Sequence, residues 1–278
     1  MTLLRRGIWL ARLVGFALVM GAGRTLPGNT AEPVRIPKAS TKPQVSSALA
    51  AQGRHVYERH CVICHGRWGD GRGDMARGMI PKPRRFTAGV FKYRSTPSGF
   101  LPTDADLART IRGGVASTSM PVFAGLLSER DVESVIEAVK TFSSRWDHAE
   151  NRAPALPMPA PPEWLEDAEA LGRHAAAGAP VFLANCAPCH GLSGRGDGPA
   201  APNLENDWGE PTPPANLTAP LLRCGPGPED IYRTLVTGLN GTPMPEFLSA
   251  TTESQRWDLV AWILAARASR SGAAESGR

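Results

Sequence analysis

The chain has 278 residues, 42% of them hydrophobic, which suffices for one to three ordinary domains and excludes a wholly disordered chain. Aromatics are scarce at 6%, while 29 glycines and 26 prolines suit small helical domains wrapped in long irregular loops. The net charge of +5 falls to about +2 without the first 23 residues, which carry Arg5, Arg6, Arg12 and no acid, so no nucleic-acid partner is expected.

The N-terminus reads as an export signal over residues 1–23. Arg5 and Arg6 make a charged start, Leu13 to Met20 an apolar run, and Gly21-Ala22-Gly23 a small-residue cleavage region. The apolar run falls short of the roughly 20 residues that span a bilayer, and Arg12 breaks it. A cleaved signal with periplasmic export is therefore the expectation, and membrane attachment through an uncleaved N-terminus the alternative. Residues 24–45 are rich in Pro, Thr and Ser and read as a flexible lead.

From Ser46 the pattern turns helical, with Ala48, Leu49, Gly53, Val56, Tyr57 and His60 at helical spacings. The helix ends in Cys61-Val62-Ile63-Cys64-His65-Gly66, and the same arrangement returns in Cys186-Ala187-Pro188-Cys189-His190-Gly191. This is the attachment site of a c-type haem: Cys61, Cys64, Cys186 and Cys189 would form thioethers to vinyl groups, and His65 and His190 would ligate iron. A zinc knuckle or a redox disulfide also uses C-x-x-C, but neither requires the adjacent His in both copies.

Prolines 81, 83, 97 and 102 keep the next stretch irregular. A short helix capped by Thr103 or Asp104 buries Leu107 and Ile111 and stops at Gly113-Gly114. A loop carries Ser119-Met120-Pro121. A last helix, about 128–142, presents Val132, Val135, Ile136 and Val139. The run from Pro154 to Pro162 is too proline-dense for a helix and reads as a semi-rigid linker within residues 148–165. The plan then repeats: a helix into the second motif, a Pro/Gly-rich loop over 191–228, a short helix from Asp230, the Thr242-Pro243-Met244-Pro245 loop, and a helix over about 252–267.

Gly53, Tyr57, Cys61, Cys64 and His65 match Gly178, Phe182, Cys186, Cys189 and His190 at an offset of 125. Asp106, Thr110, Gly114, Thr118, Met120, Pro121 and Phe123 match Asp230, Thr234, Gly238, Thr242, Met244, Pro245 and Phe247 at 124. Two similar domains follow, 46–147 and 166–268, with a tail from 269. Met120 and Met244 are the candidate second iron ligands, since a thioether suits a low-spin haem and each stands at the same repeat position before a proline. Met75 and Met79 are alternatives for the first haem without counterparts in the second half. His55, His60, His148 and His174 read as surface or haem-edge residues. Cys224 reads as an idle buried thiol, its rival role a thiolate ligand to the second haem.

These residues resemble tandem class I cytochrome c domains over about 46–268. The resemblance implies an all-α fold with crossing terminal helices, close approach at Gly53 and Gly178, and Trp257 or Trp262 packed in the second domain. Phe142 or aliphatics would replace that Trp in the first. The stretch from Pro81 to Gly99 is similar to the loop of bacterial periplasmic di-haem cytochromes that serve respiratory enzymes. There Arg84, Arg85 or Arg94 would bind haem propionates, or form a solvated basic loop.

The resemblance implies an electron carrier with two covalent haem c groups and no substrate chemistry, exchanging electrons with redox protein partners. The alternatives are a di-haem peroxidase or thiosulfate-oxidising enzyme, or a cytochrome subunit of a larger complex. Residues 31–150 carry a net +6 and residues 151–278 a net −5, which predicts distinct docking partners or mutual attraction of the halves.

Overall fold

The computed structural model describes residues 46–275, with side chains through 269. The expected signal (1–23) and flexible lead (24–45) lie outside the described residues. Among the described residues there is no strand, and the fold is all-α with the same four-helix plan used twice. The first set is α1 (Ser47–His60), α2 (Val62–His65), α3 (Asp104–Gly113) and α4 (Glu129–Lys140). The second is α5 (Ala168–Asn185), α6 (Ala187–His190), α7 (Pro228–Thr237) and α8 (Glu253–Glu275).

The terminal helices of each set cross where a glycine removes the side chain. A β-carbon on Gly53 would lie 1.8 Å from the Ser134 carbonyl oxygen, and one on Gly178 would lie 2.2 Å from that of Asp258. Val132, Val135, Ile136 and Val139 on α4 are all buried, as their spacing requires. Each contributes about 1.5–3 kcal/mol of transfer free energy. Phe142 takes the place of the missing tryptophan. Its ring packs 5.0 Å from Tyr57 and covers Gly69, as Trp262 packs 3.5 Å from Phe182 and covers Gly194.

Capping explains where α3 begins. Thr103 accepts the Asp106 N–H, and the Asp106 carboxylate accepts the Thr103 N–H. Asp106 also takes Ser95 N–H, Ser95 Oγ–H and Arg109, so one buried carboxylate ties the irregular 81–103 segment to α3. Asp230 repeats the arrangement with Gly227 and Arg233.

Two expectations are modified. The helix expected to end near Arg267 continues to Glu275, since no proline interrupts it. The proline-rich run, expected as a semi-rigid linker, also packs against the second domain. Leu156 is buried in the second core, its N–H donates to Ser95 O at 2.8 Å, and Met158, Trp164 and Leu165 pack beside it. Its prolines leave few backbone donors, so side-chain burial and this hydrogen bond help to hold the segment.

Candidate functional site

Each C-x-x-C-H motif folds as a helical turn that starts where the preceding helix breaks. Cys61 and Cys186 cap α2 and α6, while the His N–H of each returns to the first cysteine carbonyl at 2.9 and 2.8 Å. That geometry places both thiols and the imidazole on one wall. Cys61, Cys64, His65 and Met120 line a largely apolar cavity, and Cys186, Cys189, His190 and Met244 line its continuation in the second half. The combined space is about 2580 Å³, counting its solvent-open mouth.

The imidazoles are oriented identically. His65 Nδ1 donates to the Arg84 carbonyl and His190 Nδ1 to the Ala215 carbonyl, both at 3.0 Å. A carbonyl only accepts, so Nδ1 carries the proton and Nε2 keeps its lone pair for a metal. Burial pushes both imidazole pKa values down and keeps the rings neutral, outweighing the carbonyl contact. Phe86 stacks on His65 at 4.5 Å.

The methionine loops are also duplicates. Met120 N–H donates to Thr118 Oγ1 at 3.1 Å and Met244 N–H to Thr242 Oγ1 at 3.3 Å. The threonine hydroxyls donate onward to Val115 and Leu239 carbonyls, whose own N–H groups return to Met120 and Met244 carbonyls at 3.1 Å. Gly114 and Gly238, at φ 61° and 64°, let the loop close: a β-carbon there would lie 2.6 Å from Pro121 O and Pro245 C respectively.

The cysteine environment fits thioether formation better than the rival uses. Burial, then the neighbouring Cys64, pushes the Cys61 thiol up to about 12, and the same causes push Cys186 up to about 11. A redox C-x-x-C needs a lowered thiol instead. Among the described residues, no three His, Cys, Asp or Glu side chains converge on a metal site, which disfavours a zinc knuckle. The apolar walls, the imidazoles with Nε2 free and the paired thiols fit haem c.

The arginines expected at propionates separate in the fold. Arg94 is buried and donates to Thr237 and Gly238 carbonyls of the second domain and to Pro97 O, so it is neither a solvated loop residue nor a free propionate partner. Arg85 pairs with Glu210 at 2.6 Å across the domain boundary, which realises the attraction of opposite charges. Arg84 borders the cavity, faces the Trp208 ring at 5.3 Å, and is lowered to about 10 by burial.

Met79 also borders the cavity, whereas Met75 is exposed. His60 lines the cavity edge, as expected. His174 differs from its expected surface role. It stacks on Trp164 at 3.6 Å with Nδ1 2.6 Å from Asp258 Oδ1. Cys224 borders the second part of the cavity, and burial pushes its thiol up.

Residue order missed the two carbonyls that orient the histidines and the threonines that brace the methionines. The signals were present: Arg84 and Ala215 each follow a proline, and Thr118 and Thr242 recur at the repeat offset.

This architecture defines a tandem haem protein, and comparison with known proteins agrees. Residues 48–137 match the family described as cytochrome c oxidase, cbb3-type, subunit III, and residues 175–267 match the family described as cytochrome c. The cbb3-type cytochrome c oxidase subunit FixP of Azorhizobium caulinodans is 26% identical over 220 residues, covering 76% of this chain and 58% of that protein. FixP of Sinorhizobium medicae is 33% identical over 97 residues, 32% of this chain and 28% of that protein. The chain thus spans less than two thirds of the curated relatives it matches.

A chain of the Kuenenia stuttgartiensis reducing HAO-like protein complex superposes with a TM-score of 0.72 at 37% identity, covering 84% of this chain and 99% of that one. The protein belongs to the c-type cytochromes. Its two cytochrome c domains carry covalently bound haem c, and its function is haem-based electron transfer.

Proposed function

We propose that the chain is a periplasmic di-haem carrier that passes single electrons between a donor and an acceptor protein. One iron would be held by His65 and Met120, the other by His190 and Met244. The thiols of Cys61 and Cys64, and of Cys186 and Cys189, would anchor the two groups. The observation that carries this reading is the duplication of both ligand supports: each imidazole spends Nδ1 on a carbonyl, and each methionine loop is braced by its own threonine on the same cavity.

Haem c supplies a one-electron iron couple, and methionine ligation raises its potential. The residues of the chain supply the rest. They would supply two ligands to each iron and so leave no place on it for a small molecule, line each site with apolar walls that keep water out, and hold the two sites against one another. Export is supported by the Arg5-Arg6 start and the apolar run to Met20. Among the described residues, no helix is long and apolar enough to cross a membrane.

A second reading keeps the ligands and changes the setting: a cytochrome subunit of a larger oxidoreductase assembly. It is favoured by the solved relative, almost all of whose length this chain covers and which belongs to a complex.

Optical and electron-paramagnetic spectra of the purified protein test the ligation. Two low-spin haems are expected, with Met120→Ala and Met244→Ala each turning one high-spin. A high-spin or thiolate-ligated haem in the wild type would move the assignment to a di-haem enzyme. Co-purification of the untagged native protein with stoichiometric partners would favour the subunit reading.

A further inference from the structure

The two methionine loops have the same internal hydrogen bonds but different surroundings. The loop after α3 closes on itself through Val115, Thr118 and Met120, and leads to the exposed Val122 (61%) and Leu126 (62%). The loop after α7 has that lock and a second one, made by the first domain. Arg94, 1% exposed, crosses the boundary and donates through Nη2 to the Thr237 carbonyl and through Nη1 to the Gly238 carbonyl at 3.4 Å. Asn240 is held from three sides: Oδ1 accepts Ser98 Oγ–H at 3.3 Å and Gly99 N–H at 3.1 Å, and Nδ2 donates to Phe100 O at 3.4 Å. Val90 Cγ1 lies 3.0 Å from where a β-carbon on Gly241 would stand.

These contacts fall on the last carbonyls of α7 and the residues leading to Met244. A cation at a helix C-terminus meets the negative end of the helix dipole and carbonyls lacking intrahelical partners, a favourable place for a buried guanidinium. A ligand loop pinned at its base loses less conformational freedom when its thioether binds, which favours the bound state.

We propose that residues 90–100 of the first domain are a positioning segment for the second iron site, with Arg94 and Asn240 as its contacts, so that Met244 ligation depends on the domain interface and Met120 ligation does not. The inference rests on the His/Met reading above. It makes the interface an intramolecular coupling element, since separating the domains would loosen one axial ligand and spare the other.

The test uses the ferric holoprotein and the methionine–iron charge-transfer band, to which each Met-ligated haem contributes. Arg94→Gln, or the milder Asn240→Ala if the first variant does not accumulate, is expected to lose up to half the wild-type band. Adding Met120→Ala should remove most of the remainder, whereas adding Met244→Ala should remove little more. Exogenous imidazole should bind the loosened haem at least tenfold more tightly than in the wild type. A full band and unchanged imidazole affinity in both variants would overturn the inference alone, as would a loss confined to the Met120 haem. No band in the wild type would overturn the ligation reading and the inference together.

Discussion

Gly53 and Ser134 touch backbone to backbone: the space where a β-carbon would stand at 53 is filled by the Ser134 carbonyl oxygen, 1.8 Å away. Gly178 and Asp258 repeat the contact at 2.2 Å. Because the obstruction is backbone, no side-chain rotation relieves it, and α1 must move off α4 to admit a methyl group. Gly53→Ala is therefore expected to destabilise the fold by about 1–3 kcal/mol, in the range for overpacking a core. Gly178→Ala should act in the same direction. The urea midpoint of the holoprotein checks both, and an unchanged or raised midpoint would contradict the close crossing.

Tyr57 and Phe182 occupy equivalent places with different chemistry. The Tyr57 hydroxyl donates to Gly66 O at 2.8 Å at the end of the first C-x-x-C-H turn, and burial pushes its pKa up and keeps it protonated. Phe182 instead stacks on Trp262 at 3.5 Å. Tyr57→Phe removes this donor while the Gly69 N–H still reaches the Gly66 carbonyl, at a cost of about 0.5–1.5 kcal/mol. The ring contacts with Phe86 and Phe142 remain, so the spectrum of the first haem should be unchanged while thermal stability falls.

Asp106 supplies a pH dependence. Burial alone would raise its pKa, but hydrogen bonds from Ser95, Thr103 and Arg109 outweigh that and hold the carboxyl below its ordinary value. A carboxylate depressed in the folded state adds stability above its unfolded pKa, and that contribution is lost as pH falls through the folded value. The loss is therefore expected below about pH 4, the ordinary aspartate range. Asp106→Asn should cost about 1.5–3 kcal/mol at neutral pH, because the amide replaces a charged acceptor of several donors. The variant's stability should also fall less steeply in acid. Denaturant titrations from pH 7 to 3 compare the slopes, and parallel curves would show that Asp106 is not the linked group.

Sequence order disclosed those parts of the molecule that depend on local spacing or on internal repetition. The C-x-x-C-H turns need three residues of helix, so Cys61, Cys64 and His65 can be singled out as the proposed attachment and ligand residues without a fold. The apolar stripe of α4 is legible for the same reason. Gly53 and Gly178 stood out because the repeat singled them out. What stayed hidden depends on long-range pairing. Nothing local distinguishes Arg94, inside the first domain's helix-termination partner role for α7, from Arg85, which meets Glu210. The proline-rich run looked like a spacer because its composition forbids a helix, yet Leu156 is a core residue of the second domain. Loop composition reports the absence of regular structure and says little about burial.

Thr118 and Thr242 give the sharpest contrast between the two sites. Each hydroxyl accepts a methionine N–H and donates to a carbonyl within its loop, so replacement by valine of similar shape breaks two hydrogen bonds at once. The expected cost is about 1–2 kcal/mol of loop stability in either domain. In the first domain that loss falls on a loop otherwise tied to its own domain, through Phe123 and Ala124 N–H to the last α3 carbonyls, and Thr118→Val should raise the affinity of the ferric protein for imidazole about tenfold, since 1.4 kcal/mol is a factor of ten. In the second, Arg94 and Asn240 still hold the base of the loop, so Thr242→Val should raise it less. Combining Thr242→Val with Asn240→Ala should raise it beyond either single variant. Imidazole titrations of the three variants, with haems distinguished by the Met120→Ala and Met244→Ala spectra, measure the difference. Equal responses in the single variants would mean that the two loops are held equally.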